Sequence, residues 1–137
     1  MLRKLIGASA LALALATTLQ SPATADASMT VTPSTGLTDG QVVQADVSGL
    51  NPGTTYRLGQ CAEVEPGKFA CSFPDIVEGQ ADAGGNFSTP LTVRATYPGV
   101  LFDGTAWGTV DCKVHSCEVG IGDLDLNHAA DVPISFR

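Results

Sequence analysis

The chain has 137 residues, with seven Lys or Arg against fourteen Asp or Glu, a formal net charge of −7, and 44% hydrophobic side chains. Such a length allows one domain with one modest core. An acidic surface whose cations beyond the N-terminus (Arg57, Lys68, Arg94, Lys113 and Arg137) stand singly repels phosphate backbones, which excludes direct binding to nucleic acid.

Arg3 and Lys4 open the chain with positive charge, residues 5–19 form an apolar run, and Ala23-Thr24-Ala25 is an A-x-A-like cleavage site. The run is short for a membrane span and is ended by Gln20, Ser21 and Pro22. Residues 1–25 are therefore expected to be a secretory signal peptide, with cleavage after Ala27 as the alternative. Residues 26–137 would be the secreted domain.

Beyond Ala25, turn signals recur at short intervals: Asp39-Gly40, Asn51-Pro52-Gly53, Pro66-Gly67, Gly84-Gly85-Asn86, Pro98-Gly99 and Asp103-Gly104. The segments between them are rich in Val, Thr, Ile and aromatic residues. Val43, Ala45 and Val47 alternate with Gln44, Asp46 and Ser48, which is the period of a half-buried strand. Phe87, Thr89, Leu91 and Val93 alternate in the same way with polar partners, and Pro90 among the outward positions predicts an edge strand. Tyr56 and Leu58 continue the pattern, and further strands are expected over residues 29–32, 109–113, 117–121 and 132–136. About seven short strands separated by turns imply an all-β, antiparallel, immunoglobulin-like sandwich.

Four cysteines in a secreted chain imply two disulfides, with three pairings possible. Spacing favours neighbours: Cys61 and Cys71 flank the turn signal Glu65-Pro66-Gly67, and Cys112 lies close before Cys117. Zinc would ask for Cys-x2-Cys knuckles and reduced thiols, and the sequence has no such knuckle.

Catalytic chemistry finds little to build on. Nucleophilic catalysis needs a base within reach of Ser, Thr or Cys, yet no Gly-x-Ser-x-Gly elbow occurs, and His115 and His128 read as exposed loop residues. Asp123 and Asp125 supply too few oxygens for calcium and read as a solvated loop face. No catalytic residue, metal or catalytic cofactor is expected. What remains is a set of aromatic residues, Phe69, Tyr97, Phe102 and Trp107, in turn-rich places. They either cap one end of the core or line a concave site.

The stretch Leu101-Phe102-Asp103-Gly104-Thr105-Ala106-Trp107-Gly108-Thr109-Val110-Asp111-Cys112 closely resembles the neocarzinostatin family, the apoproteins of enediyne chromoprotein antibiotics. The similarity extends over Thr30-Val31-Thr32-Pro33-Ser34, Gly59-Gln60-Cys61-Ala62, Ala70-Cys71, Leu91-Thr92-Val93-Arg94, Cys117-x-Val119-Gly120 and Ile134-Ser135-Phe136, and both cysteine spacings match. The resemblance implies a seven-stranded sandwich with a short two-stranded ribbon beside a ligand cleft. It also implies a secreted, monomeric antimicrobial protein that binds, protects and releases a small hydrophobic aromatic chromophore without covalent attachment. DNA would be reached only through the released ligand, and no membrane is involved. Carried over by position, the cleft would comprise Gly59, Gln60, the Cys61–Cys71 bridge, Phe69, Ile76, Tyr97, Phe102, Glu118 and Gly120. Glu63 and Glu118 stand where the family pattern has uncharged side chains and would favour a ligand bearing an amine. The alternative is a family member that carries no ligand and serves a structural or protein-interaction role.

The secreted protein is expected to begin at Asp26 and to carry Cys61–Cys71 and Cys112–Cys117. Intact mass spectrometry should find it lighter than the reduced chain by the hydrogens of two disulfides. A free thiol, or a peptide joining Cys71 to Cys112, contradicts this.

Overall fold

The computed structural model describes residues 26–137; the expected signal peptide lies outside them. Among the described residues ten strands follow one another: β1 (Ser28–Thr32), β2 (Val42–Ser48), β3 (Thr55–Glu65), β4 (Lys68–Cys71), β5 (Val77–Gln80), β6 (Phe87–Thr92), β7 (Thr96–Leu101), β8 (Ala106–Asp111), β9 (Cys117–Asp123) and β10 (His128–Pro133). A single 3₁₀ turn, Phe73–Asp75, lies between β4 and β5. Two antiparallel sheets result. One is three-stranded in the order β1-β2-β6; the other runs β10-β9-β3-β4-β7-β8, with β5 also paired to β3. Among these residues no helix is long and apolar enough to cross a membrane.

The alternation of side chains explains the layering. In β2, Val43, Ala45 and Val47 are buried while the residues between them are exposed. Val31, Leu91 and Val93 join them from the small sheet's side, facing Leu58, Ala62, Tyr97, Val110, Val119 and Ile121 of the large sheet. Each Val, Leu or Ile side chain among them contributes about 1.5–3 kcal/mol when withdrawn from water. Both disulfides join neighbours, Cys61–Cys71 and Cys112–Cys117, as spacing suggested. β6 lies at a sheet edge, as Pro90 requires.

The sandwich expected from the sequence is present, with more and shorter segments than the pattern suggested. Pro98-Gly99 is not a turn. It lies inside β7, where Gly99 is needed for close packing, and the reversal comes at Asp103-Gly104, with Gly104 at φ 87°. The expected strand over 132–136 starts earlier, at His128, and ends at Pro133. Beyond it Ile134 N still donates to Cys117 O of β9, and Ser135 turns to the segment after β1: Leu37 N donates to Ser135 O and Ser135 N to Ser34 O, all three at 3.0 Å.

Gly99 offers a test of this packing. A Cβ there would stand 2.7 Å from Val110 Cγ2, 2.9 Å from Ala70 Cβ and 3.2 Å from Gly108 O. Gly99→Ala is expected to cost about 1–3 kcal/mol by overpacking, measured by chemical denaturation; an unchanged midpoint would show that β7 and β8 are free to separate.

Candidate functional site

β3 is the strand on which the site is built. Its residues alternate between the two faces of the large sheet: Leu58, Gln60 and Ala62 are fully buried toward the small sheet. Arg57, Gly59 and Cys61 point the other way. The neighbouring β9 repeats the division, with Val119 and Ile121 inward and Glu118, Gly120 and Gly122 outward, because its register sets Gly59 opposite Gly120 and Cys61 opposite Glu118. Cys71 of β4 stands opposite Cys61, so the disulfide lies on this outer face.

A cleft of about 550 Å³ occupies that face, within the size range of small-molecule sites. Its floor is formed by residues with little or no side chain: Gly59, Gly120, Gly122 and the Cys61–Cys71 bridge. Toward β7 stand Phe69 and Phe102, ring centroids 6.4 Å apart and inclined by 29°, with Phe102 half exposed. Phe73 and Ile76 form the wall where the chain passes from β4 to β5. Leu126 and His128 stand at the opposite end, toward β10. Leu126 is held at φ 66° by a tight turn in which Asp123 Oδ1 accepts from the backbone N–H of Asp125 and of Asn127, each at 2.9 Å. Those bonds keep the Asp123 carboxyl below its ordinary range, the Asn127 side chain contributing most.

The ionisable side chains of the lining are Arg57, Glu78, Glu118, Asp123 and His128. Arg57 Nε and Glu78 Oε2 pair at 3.0 Å on the rim. Glu118 is different: burial, then a hydrogen bond and charge from Asp131, then the charge of Glu63, push its carboxyl from an ordinary 4.5 up to about 7. The sheet geometry explains the pairing with Asp131. Gly120 stands opposite Asp131, which sets Asp131 diagonal to Glu118 on the same face of the β9–β10 pair.

Of the residues proposed from the sequence, Gly59, Cys61, Phe69, Cys71, Ile76, Phe102, Glu118 and Gly120 all line the cleft. Gln60 and Tyr97 do not, and both are corrections. Gln60 falls on the inward parity of β3 and is fully buried, its amide joined to the backbone of Arg94. Tyr97 is likewise inward, 3% exposed, and donates its hydroxyl to Ala70 O at 3.0 Å. Gly59 also has a more particular role than floor: a Cβ there would stand 2.9 Å from Ile76 Cγ1, so the glycine seats the wall residue. Arg57, Phe73, Glu78, Ile121, Gly122, Asp123, Leu126 and His128 were missed. The period of β3 carried a signal for Arg57; His128, read as a loop residue, is brought in by the early start of β10. His115 packs edge-on against Trp107, ring centroids 5.4 Å apart, outside the cleft.

Fold and cleft together define a class: an immunoglobulin-like sandwich with an apolar, ligand-sized cleft on the outer face of its larger sheet. The chain belongs to the neocarzinostatin family, whose model matches residues 29–136. Macromomycin of Streptomyces macromomyceticus is 45% identical over 109 residues, which cover 79% of this chain and 75% of that protein. The antitumor antibiotic C-1027 apoprotein of Streptomyces globisporus is 42% identical over 118 residues, 85% of this chain and 82% of that protein. The solved structure of macromomycin superposes with a TM-score of 0.77 at 44% identity, covering 81% of this chain and 99% of that one.

The Glu118 carboxyl predicts a pH dependence of known sign. Its folded-state value lies above the unfolded one, so the native state retains a proton that the unfolded chain releases, and stability falls as pH rises from 4.5 through about 7. Denaturation midpoints measured across that window should decline for the wild type and flatten for Glu118→Gln. An equal slope in both proteins would assign the effect to another group.

Proposed function

We propose that this protein is the secreted apoprotein of a chromoprotein antibiotic. In this reading the cleft over the Cys61–Cys71 bridge binds a small, flat, hydrophobic chromophore of the enediyne type without covalent attachment. The protein shields the chromophore and releases it to act on DNA. The protein works as a monomer outside the cell, touches DNA only through that ligand, and performs no catalysis itself. Residues 26–137 form the functional domain after removal of residues 1–25.

The observation that carries this reading is the coincidence of family membership with an apolar cleft of about 550 Å³ lined by Phe69, Phe73, Ile76 and Phe102. Aromatic rings bury a polycyclic ligand effectively, and offset stacking adds about 0.5–1.5 kcal/mol per pair beyond the area term. Glu118, on the side of the cleft toward β10, supplies negative potential once ionised. A ligand that carries an amine as well as a flat ring system therefore suits the cleft better than a neutral or anionic one.

Fluorescence titration with a cationic naphthyl or anthracycline-like probe tests the reading. Wild type should bind in the micromolar range, and Phe102→Ala about tenfold or more weakly, the loss of roughly 1.4 kcal/mol or more. Equal, millimolar binding by both proteins would show that the cleft accepts no such ligand and that the carrier reading is wrong for this chain.

A further inference from the structure

We infer that Arg94 and Asp75, neither of which lines the cleft, are positioning residues for ligand binding, holding the Phe73 and Ile76 wall in place through a relay that begins at buried Gln60. The inference rests on the carrier reading for its ligand.

The wall needs such support. Between Cys71 and Val77 the chain leaves the edge of β3: β4 pairs with residues 61–65 and β5 with residues 55–58, so the ladder is interrupted opposite Gly59 and Gln60. Across the gap Ser72 N donates to Gln60 O at 2.9 Å. The 3₁₀ turn that follows contains no buried residue, and its own backbone bonds are long, 3.3 Å from Asp75 N to Ser72 O and 3.2 Å from Ile76 N to Phe73 O. Neither core burial nor a strong ladder fixes it.

Asp75 supplies what is lacking. Its Oδ2 accepts from Ser72 Oγ at 3.0 Å and from Arg94 Nε at 3.2 Å, and its Oδ1 accepts from Arg94 Nη2 at 3.3 Å. The forked contact with the guanidinium holds the Asp75 carboxyl below its ordinary range. Arg94 is itself fixed from behind. Gln60 Nε2 donates to Arg94 O and Arg94 N donates to Gln60 Oε1, both at 2.7 Å, and Gln60 Nε2 lies 3.2 Å from Cys112 Sγ. Gln60 and Ser72 are the buried polar residues among the described ones, and both belong to this relay. Burying an amide or a hydroxyl is costly unless it is hydrogen-bonded. The fold accommodates both groups where they tie the wall of the cleft to the core. The Arg94–Asp75 pair is itself partly exposed, with side chains 41% and 16% accessible. Its contribution to global stability is therefore small, and its effect is on the placement of Phe73 and Ile76.

The test is a mutant cycle read by affinity. Arg94→Met and the isosteric Asp75→Asn are each expected to weaken binding of the cationic naphthyl probe by about three- to tenfold, chiefly through faster dissociation. In a Phe73→Ala/Ile76→Ala background neither substitution should weaken it further, which a general loss of stability would not reproduce. In the free protein, NMR should report greater motion of the Ile76 methyls in both single variants. If Arg94→Met does not fold, Asp75→Asn carries the same comparison. Wild-type affinity retained in Asp75→Asn, or an undiminished effect in the wall-less background, overturns the inference while leaving the carrier reading intact. Failure of the wild type itself to bind overturns the carrier reading and this inference with it. Unchanged Ile76 methyl order in the free variants overturns the relay without reference to any ligand.

Discussion

The structure depends on the two-sided character of β3. Leu58, Gln60 and Ala62 serve the core and Arg57, Gly59 and Cys61 serve the cleft, so one strand is at once the centre of the large sheet and the floor of the site. Side chains alternate with a period of two, and a one-residue slip would bring Arg57 into the core and Leu58 out to the cleft. The register is held on both edges, by β9 on one and by β4 and β5 in succession on the other. The floor of the cleft is therefore fixed in register with the core beneath it.

The shape of the cleft comes from atoms left out. Gly59 and Gly120 face one another across the β3–β9 ladder, but their surroundings differ. The space over Gly59 is taken by Ile76, while a Cβ on Gly120 would meet nothing closer than Ala130 O at 3.9 Å. The depression accordingly opens beside Gly120 and the Cys61–Cys71 bridge. Its two ends differ in chemistry: aromatic rings toward β7, carboxylates toward β10.

The sandwich was legible because burial on one face leaves a period-two record. Val43, Ala45 and Val47 were read correctly from it, and so was the edge position of Pro90. Short segments such as β4 and β5 leave too few residues for a period to register. Pro98-Gly99 misled because the usual reason for glycine, a turn, was not the operative one: Gly99 is there for lack of room. In the site, Phe69 and Phe102 were singled out by composition and place, and Gly59, Cys61, Cys71, Ile76, Glu118 and Gly120 through family resemblance, but resemblance does not say which face a residue takes. Gln60 directly precedes Cys61 in sequence and lies on the other side of the sheet, and Tyr97 turns inward in the same way. The alternation already visible in Tyr56 and Leu58, extended by two residues, places Gln60 inward. His128 and Leu126 depended on the tight turn after Asp123, which only the hydrogen-bond pattern reveals.

A carrier has to hold its ligand without closing over it through a large rearrangement, since each side chain ordered on binding subtracts from affinity. Much of this cleft meets that requirement through backbone ladders: β3 and β9 under the floor, the disulfide-joined β3–β4 hairpin beneath Phe69, and the β7–β8 hairpin behind Phe102. The turn that carries Leu126 at the β10 end is closed by the Asp123 carboxylate. The Phe73–Ile76 wall is a loop, and loops are ordinarily the soft part of a binding site. Here the loop is joined to the core by side chains in place of a ladder, from Gln60 to Arg94 to Asp75. An amide is suited to the first step because its one donor and one acceptor edge engage the N–H and C=O of a single residue, much as a neighbouring strand would. An apolar side chain at position 60 would fill the same volume and leave Arg94 N–H and C=O without those partners. Among the described residues, buried Gln60 thus stands in for a missing piece of β-ladder.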